Sequence, residues 1–421
     1  MNQQTWQSLT QAQQAYWDEY LQHPDKGLST VAHCLTLTGE MNVAKLIQAI
    51  DQALIEAQVL SLRFKRVANQ TYPLQRVASE QPVKLEVNDL RDQQAPIACA
   101  EAAMRRDVAM PINLSQDAIT RAQLYLIDEH TVIWYIRSHH IAVDGYSMQL
   151  LTQRSAHLYS CLLHQVTPQP SFKPLEVYLK ESRDYSQSQR FSLDQAYWQR
   201  YLEQTELPLS DGAGALADTC AVVRELPDTL GQGLVAMAQK LMIGWSDLLT
   251  LLCAAYLYQS WGRDVTNKPL PVWLPFMNRM GNPCANMPAL MVNTMPFLVV
   301  QQPDEPIEQW LKRAVGELRN HYRHGRYRVE NKLSSGQYHV SPFINVLPFE
   351  GAEFHACHTT SKVMAGGVAD GFNITFRSNR AAACMSLTVE AEERLFSRAE
   401  VERHADDLLH FLSQNPQSQS L

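Results

Sequence analysis

An apolar run, Thr131-Val-Ile-Trp-Tyr-Ile136, leads directly into Arg137-Ser-His-His-Ile-Ala-Val-Asp-Gly-Tyr146. An amphipathic stretch from Ser147 to Leu163 follows. Aromatic and β-branched residues read as a strand and the later spacing as a helix, so this region is a strand, a tight turn and a helix. Neighbouring side chains on a strand point to opposite faces. His139 and His140 therefore cannot serve one small site as equals: one packs inward or orients its neighbour, and the other faces a cleft. Gly145 permits a tight turn or a close backbone approach. Asp144 is placed to brace the turn or to pair with a distant cation. Adjacent histidines diverge and no third ligand stands at a standard spacing, so no metal site is expected.

At 421 residues the chain can hold two or three ordinary domains, and 45% hydrophobic with 19% charged residues suits sizeable cores. The net charge of −7, without a basic block, argues against a nucleic-acid partner. The start, Met1-Asn-Gln-Gln-Thr-Trp-Gln, lacks the basic and apolar regions of a signal peptide. The longest apolar run, Leu248 to Tyr258, is too short to span a bilayer, so no membrane association is expected. Eight scattered cysteines without a CxxC pair fit a reducing cytoplasm.

Taken in order, Thr10 caps a first helix that carries Trp17. Strands are expected at 29–38, 60–64, 72–77, 83–87, 122–127 and 131–136, with helices at 43–57 and 98–106. Prolines at Pro168, Pro170 and Pro174 mark a break, and a boundary is placed there, dividing the chain into 1–174 and 175–421. The second half shows helices at 175–190, 193–203, 230–241, 246–261, 307–324 and 399–412. Its strands are expected at 220–226, 271–276, 290–300, 343–347, 373–376 and 385–389. Residues 207–218, 280–287 and 413–421 read as loop or tail. Strands and helices mix without a regular alternation, which points to an α+β fold. His355-Ala-Cys-His358 reads as an incidental loop cluster, and Gly366-Gly367 with Gly371 does not follow a nucleotide-binding pattern.

The pattern His139-His140-x-x-x-Asp144-Gly145 resembles the active-site signature of the condensation-domain superfamily, which includes the chloramphenicol acetyltransferases. Other stretches resemble further motifs of that family. Thr10-Gln-Ala-Gln13 with Trp17 matches the opening helix, departing at Ala15, where an Arg is usual. Leu60 and Phe64 match a second motif, with Ser61 in place of an Arg. Met277-Asn-Arg279, Met291-Val-Asn-Thr294 and Ser341-Pro-Phe-Ile-Asn345 fall where three more motifs are expected, and His324 to Glu330 matches another at its ends. Trp273-Leu-Pro-Phe-Met-Asn-Arg279, His324-Gly-Arg-Tyr-Arg328 and Leu347-Pro-Phe-Glu350 resemble the stand-alone amide synthases of the vibriobactin type.

The resemblance implies two chloramphenicol-acetyltransferase-like halves forming a V, with the active-site tunnel between them. It implies amide formation between 2,3-dihydroxybenzoate, held on an aryl carrier protein as a phosphopantetheine thioester, and a small soluble amine such as norspermidine. No cofactor is expected on this chain itself, and a monomer is expected. Under this reading His140 is the base or the orienting acceptor for the amine proton. His139 supports the motif. Asp144 is structural and pairs with Arg279. Gly145 makes room for the pantetheine arm or offers its N–H to an oxyanion. Asn345 and Trp273 are candidates for the acceptor side, Trp273 reading more readily as core in such a strand. Arg326 and Arg328 read as a solvated helix end. Two rival readings are an acyltransferase that uses coenzyme A, and a non-catalytic module that recruits carrier proteins.

Overall fold

The computed structural model describes residues 6–205, 207, 218–261, 268–302, 304–329, 341–366 and 371–414. Glu330, Gly367 and residues 415–421, together with most of the 207–218 loop, lie outside the described residues. Along the chain come β1 (Gln7–Ser8), α1 (Gln11–Gln22), β2 (Thr30–Gly39), α2 (Val43–Glu56), β3 (Leu62–Lys65), β4 (Leu74–Val77) and β5 (Leu85–Asp89). Next are α3 (Pro96–Ala109), β6 (Thr120–Leu126), β7 (Thr131–His139), α4 (Gly145–His164), α5 (Leu175–Ser186), α6 (Gln189–Leu202), β8 (Thr219–Glu225) and α7 (Asp228–Leu241). Then follow α8 (Trp245–Trp261), β9 (Leu270–Phe276), β10 (Asn293–Val299), α9 (Ile307–His324), β11 (Phe343–Pro348) and β12 (Cys357–Gly366). The last elements are β13 (Phe372–Ser378), β14 (Ser386–Glu392) and α10 (Arg398–Gln414). This is the α+β mixture expected.

The elements divide into two compact units, and not at the proline break. The first unit is Met1–Gln187 with Met277–Val292 and Gly351–Val368, and the second is Ser188–Phe276, Asn293–Glu350 and Ala369–Leu421. The break at 168–174 is a surface loop, because α5 beyond it buries Leu175, Tyr178 and Leu179 in the core of the first unit. The helix expected over 175–190 also stops early. Ser188 begins α6 instead, its hydroxyl accepting the Phe191 N–H.

The first unit is built on a five-stranded sheet in the order β12-β2-β7-β6-β5. In β7, Val132, Trp134 and Ile136 enter the main core with residues of α2 and α4. Ile133 and Tyr135 enter a second cluster with Ala100 and Met104 of α3. Both faces are covered, and this is why the run before the motif is unbroken rather than alternating. β12 was not expected from its sequence. It pairs antiparallel with β2, from Cys357 opposite Gly39 to Gly366 opposite Val31, with a bulge between Val363 and Ala365. Gly39 has φ +145°, and a Cβ there would lie 2.3 Å from the Ala356 carbonyl oxygen, so this seam requires glycine.

The second unit carries a six-stranded sheet in the order β10-β9-β11-β13-β14-β8. Its core centres on α8, where Leu248 through Leu257 is buried nearly throughout. Among the described residues no single helix is long and apolar enough to cross a membrane; α7 and α8 pass a length and composition test together only as a pair bent by 98°.

Candidate active site

The motif lies within the first unit. β7 ends at His139, five residues turn, and α4 begins at Gly145. The His139 N–H donates to the Ile119 carbonyl (3.0 Å), the His140 N–H to the Ser29 carbonyl (2.7 Å) and the Ala142 N–H to the His139 carbonyl (3.1 Å). These bonds hold the turn to the neighbouring strand ends.

The two histidines sit in different surroundings, His139 at the end of the strand and His140 in the turn just past it. His139 is buried, and its Nδ1 accepts the Ile141 N–H at 3.1 Å. That acceptor role places the ring proton on Nε2 of a neutral imidazole. Burial, and then the nearby His140, push its pKa down to about 3. His140 keeps part of its surface exposed. Its ring stacks on Tyr16 of α1, with centroids 4.7 Å apart and planes 14° apart. An imidazole held on one face by an aromatic ring, with a partly open edge, can receive a proton from a bound amine.

Asp144 does different work. It is the N-cap of α4 and accepts the Ser147 N–H at 2.8 Å and the Ser147 hydroxyl at 2.7 Å. Arg279 donates through Nη2 to both carboxylate oxygens at 2.9 and 3.1 Å. The N–H groups of Met291 (3.0 Å) and Val292 (3.1 Å) also point to Oδ2. Burial alone would raise this carboxyl. Arg279, the Met291 amide and Ser147 outweigh it and hold the pKa below the usual carboxylate range. Each oxygen is committed to these donors, and none of them is a histidine, so the geometry excludes a Ser-His-Asp relay.

Arg279 in turn organises the segment that carries it. Its Nη1 donates to the carbonyls of Ala285 (2.9 Å) and Met287 (2.8 Å), and its Nη2 to that of Ala289 (3.0 Å). The guanidinium also lies 4.9 Å from the centre of the Tyr146 ring. The Tyr178 hydroxyl of α5 closes on the Leu290 carbonyl at 2.6 Å. Residues 277–292 are thus fastened to the motif from several sides.

Gly145 does not adopt a left-handed conformation, so a strained turn is not its purpose. A Cβ built on it meets no atom within 4 Å. The position opens onto free space at the start of α4, where backbone N–H groups lack intrahelical partners.

The other candidates belong to the second unit. Trp273 on β9 exposes none of its surface, which corrects its place among substrate-lining residues: its strand lies between β10 and β11 in the sheet. Asn345 on β11 is partly buried, and its Oδ1 has no hydrogen-bond partner among the described residues. A buried acceptor in this state suits an incoming N–H donor. Arg328 is buried, not solvated, and Arg326 is partly so. This turn is drawn inward by Asn293, which donates to the carbonyls of Gly325 (2.7 Å) and Tyr327 (2.8 Å). Among the described residues no three His, Cys, Asp or Glu side chains gather as a metal site; His355 instead lies edge-on to His164 at 5.3 Å. Sequence reasoning missed Ser147, Tyr16 and Ser29. Only Ser147 left a signal, standing three residues after the capping Asp.

Residues 3–419 match the family model described as "Condensation domain". The structure superposes on that of VibH, described as a condensation enzyme of nonribosomal peptide synthesis, with a TM-score of 0.88 and 32% identity, covering 97% of this chain and 96% of the other. The chain is 26% identical over 416 residues to a dimodular nonribosomal peptide synthase of Bacillus subtilis (strain 168), covering 96% of this chain and 17% of the synthase. It is 27% identical over 310 residues to enterobactin synthase component F of Escherichia coli (strain K12), covering 72% of this chain and 23% of the relative. The chain therefore spans less than a third of the length of these curated relatives.

Proposed function

The chain belongs to the condensation-domain family, and on that premise we propose that it joins a 2,3-dihydroxybenzoyl group to a soluble polyamine such as norspermidine. The acyl donor is the phosphopantetheine thioester of an aryl carrier protein. Enzymes of this family form amide bonds by acyl transfer. The observation that carries the finer reading is the near-complete mutual coverage with VibH, together with the vibriobactin-like wording of 273–279 and 324–328.

An alkylammonium has a pKa of about 10, judged from lysine, and only the neutral amine attacks. In the proposed reaction the amine nitrogen bonds to the thioester carbonyl carbon, and the C–S bond then breaks. His140 takes the proton lost by nitrogen and returns it to the departing sulfur, giving an amide and a free thiol. His139, neutral above about pH 3, holds the turn and carries no proton in the cycle. Asp144 and Arg279 fix the start of α4. Gly145 leaves space for the donor arm or lends its N–H to the oxyanion. General-base help is worth about 10²–10⁴ in rate, and alignment of an already activated thioester supplies much of the rest.

The test is to mix the protein with dihydroxybenzoyl-loaded aryl carrier protein and a panel of amines, reading products by mass spectrometry. A polyamine amide is expected. Product from acyl-coenzyme A but not from the loaded carrier would overturn the reading, as would carrier binding without any amide.

A further inference from the structure

Helix α1 brings two side chains toward His140. Tyr16 stacks on the imidazole at 4.7 Å. Glu19 follows three residues later, on the same face of the helix. Its Oε2 accepts the Ser29 hydroxyl, and the Ser29 backbone carbonyl accepts the His140 N–H. Glu19 is thus linked to His140 along its own helix and across to the start of β2. Ser29 is the side chain that acts on its titration, and among the described residues no ion pair to Glu19 is found.

Burial pushes the Glu19 carboxyl above its ordinary range, against the opposing effect of Ser29. Partial burial beside a lone hydroxyl is a poor setting for a carboxylate. A cation supplied by a ligand would offset the desolvation. Side chains at this spacing start about 5–6 Å apart and Tyr16 lies against the His140 ring, so Glu19 and His140 are separated by a short span. A flexible chain of a few methylenes covers that span.

We propose that Glu19 binds a second, non-reacting ammonium of the acceptor while His140 addresses the reacting nitrogen. This inference rests on the polyamine reading above and names the residue that selects such an acceptor. It also separates a polyamine from a monoamine of equal reactivity, because only the former can reach both residues at once.

The experiment compares norspermidine with propylamine, by calorimetric binding and by kcat/KM, in the wild type, Glu19→Gln and Glu19→Asp. In Glu19→Gln the preference for norspermidine should fall about 10-fold by both measures, equivalent to about 1.4 kcal/mol. Glu19→Asp retains the charge and should recover part of the preference, which a purely structural role would not do. An unchanged preference in Glu19→Gln, or an equal loss in both substitutions, overturns the proposal. If the wild type forms no amide, the functional reading fails by itself, and the binding titration still decides the role of Glu19.

Discussion

Each unit sends a strand through a turn into a long helix, but the two helices are capped differently. In the second unit β14 ends at the buried Glu392, which accepts the Gly371 N–H, and α10 is then capped by its own neighbours. There the Ser397 hydroxyl accepts the Glu400 N–H (3.4 Å) and donates to the Glu400 carboxylate (2.7 Å), all near solvent. In the first unit α4 is capped by Asp144, and the same carboxylate binds Arg279 and two amides as far as 148 residues along the chain. A local cap steadies one helix end. A cap shared with distant donors makes the whole turn rigid, and that turn displays His140.

The contrast predicts unequal costs. Asp144→Ala leaves a buried guanidinium without its partner and should destabilise by about 3–5 kcal/mol in denaturant unfolding. Arg279→Ala should cost nearly as much, and the double variant much less than the sum. Normal melting in either single variant would remove the structural role given to the pair.

Acid should erase part of this advantage. The unfolded carboxyl titrates near about 3.9 and the folded one lower. The stabilisation is therefore complete above the unfolded value and is lost as pH falls through the folded one. The gap in melting temperature between the wild type and Asp144→Asn should be widest near neutrality and narrow below about pH 4. A gap that widens in acid would contradict the assignment.

Two glycines sharpen the same distinction. Gly39→Ala drives a Cβ into the Ala356 carbonyl and should cost about 1–3 kcal/mol, loosening β12 from β2. Gly145→Ala meets open space and should change stability by no more than about 0.5 kcal/mol, while the role proposed for that space predicts a lower kcat/KM. Equal stability losses would mean that Gly145 is structural. The local cap is expected to touch stability alone: Ser397→Ala should cost about 1 kcal/mol and leave turnover unchanged.

What could be read from the sequence follows from range. The strand, turn and helix of the motif rest on an unbroken apolar, β-branched run, an Asp-Gly turn and a helical spacing after it, and they stand as expected. The unequal settings of His139 and His140 stand as expected, although the strand stops at His139 and the turn, not the pleat, presents His140. The Asp144–Arg279 pair was reachable through family resemblance, because nothing local ties residue 144 to 279. β12 escaped notice because Cys357-His-Thr-Thr-Ser-Lys362 is mostly polar and its partner, β2, lies more than three hundred residues earlier. The division at 174 failed for a related reason. Prolines mark a turn, but only packing of Leu175 and Tyr178 decides which core the next helix joins. Arg328 was misread because helix-end arginines usually face water, whereas Asn293 pulls this turn inward.

In the proposed mechanism His140 acts on the amine while Asp144 only holds the turn that presents it. Single-turnover amide formation from the loaded carrier, measured in His140→Ala beside its unfolding curve, tests this most directly. A rate lower by about 10²–10⁴ with stability close to wild type is expected. A wild-type rate in His140→Ala, or a loss of rate that merely tracks unfolding, would contradict it.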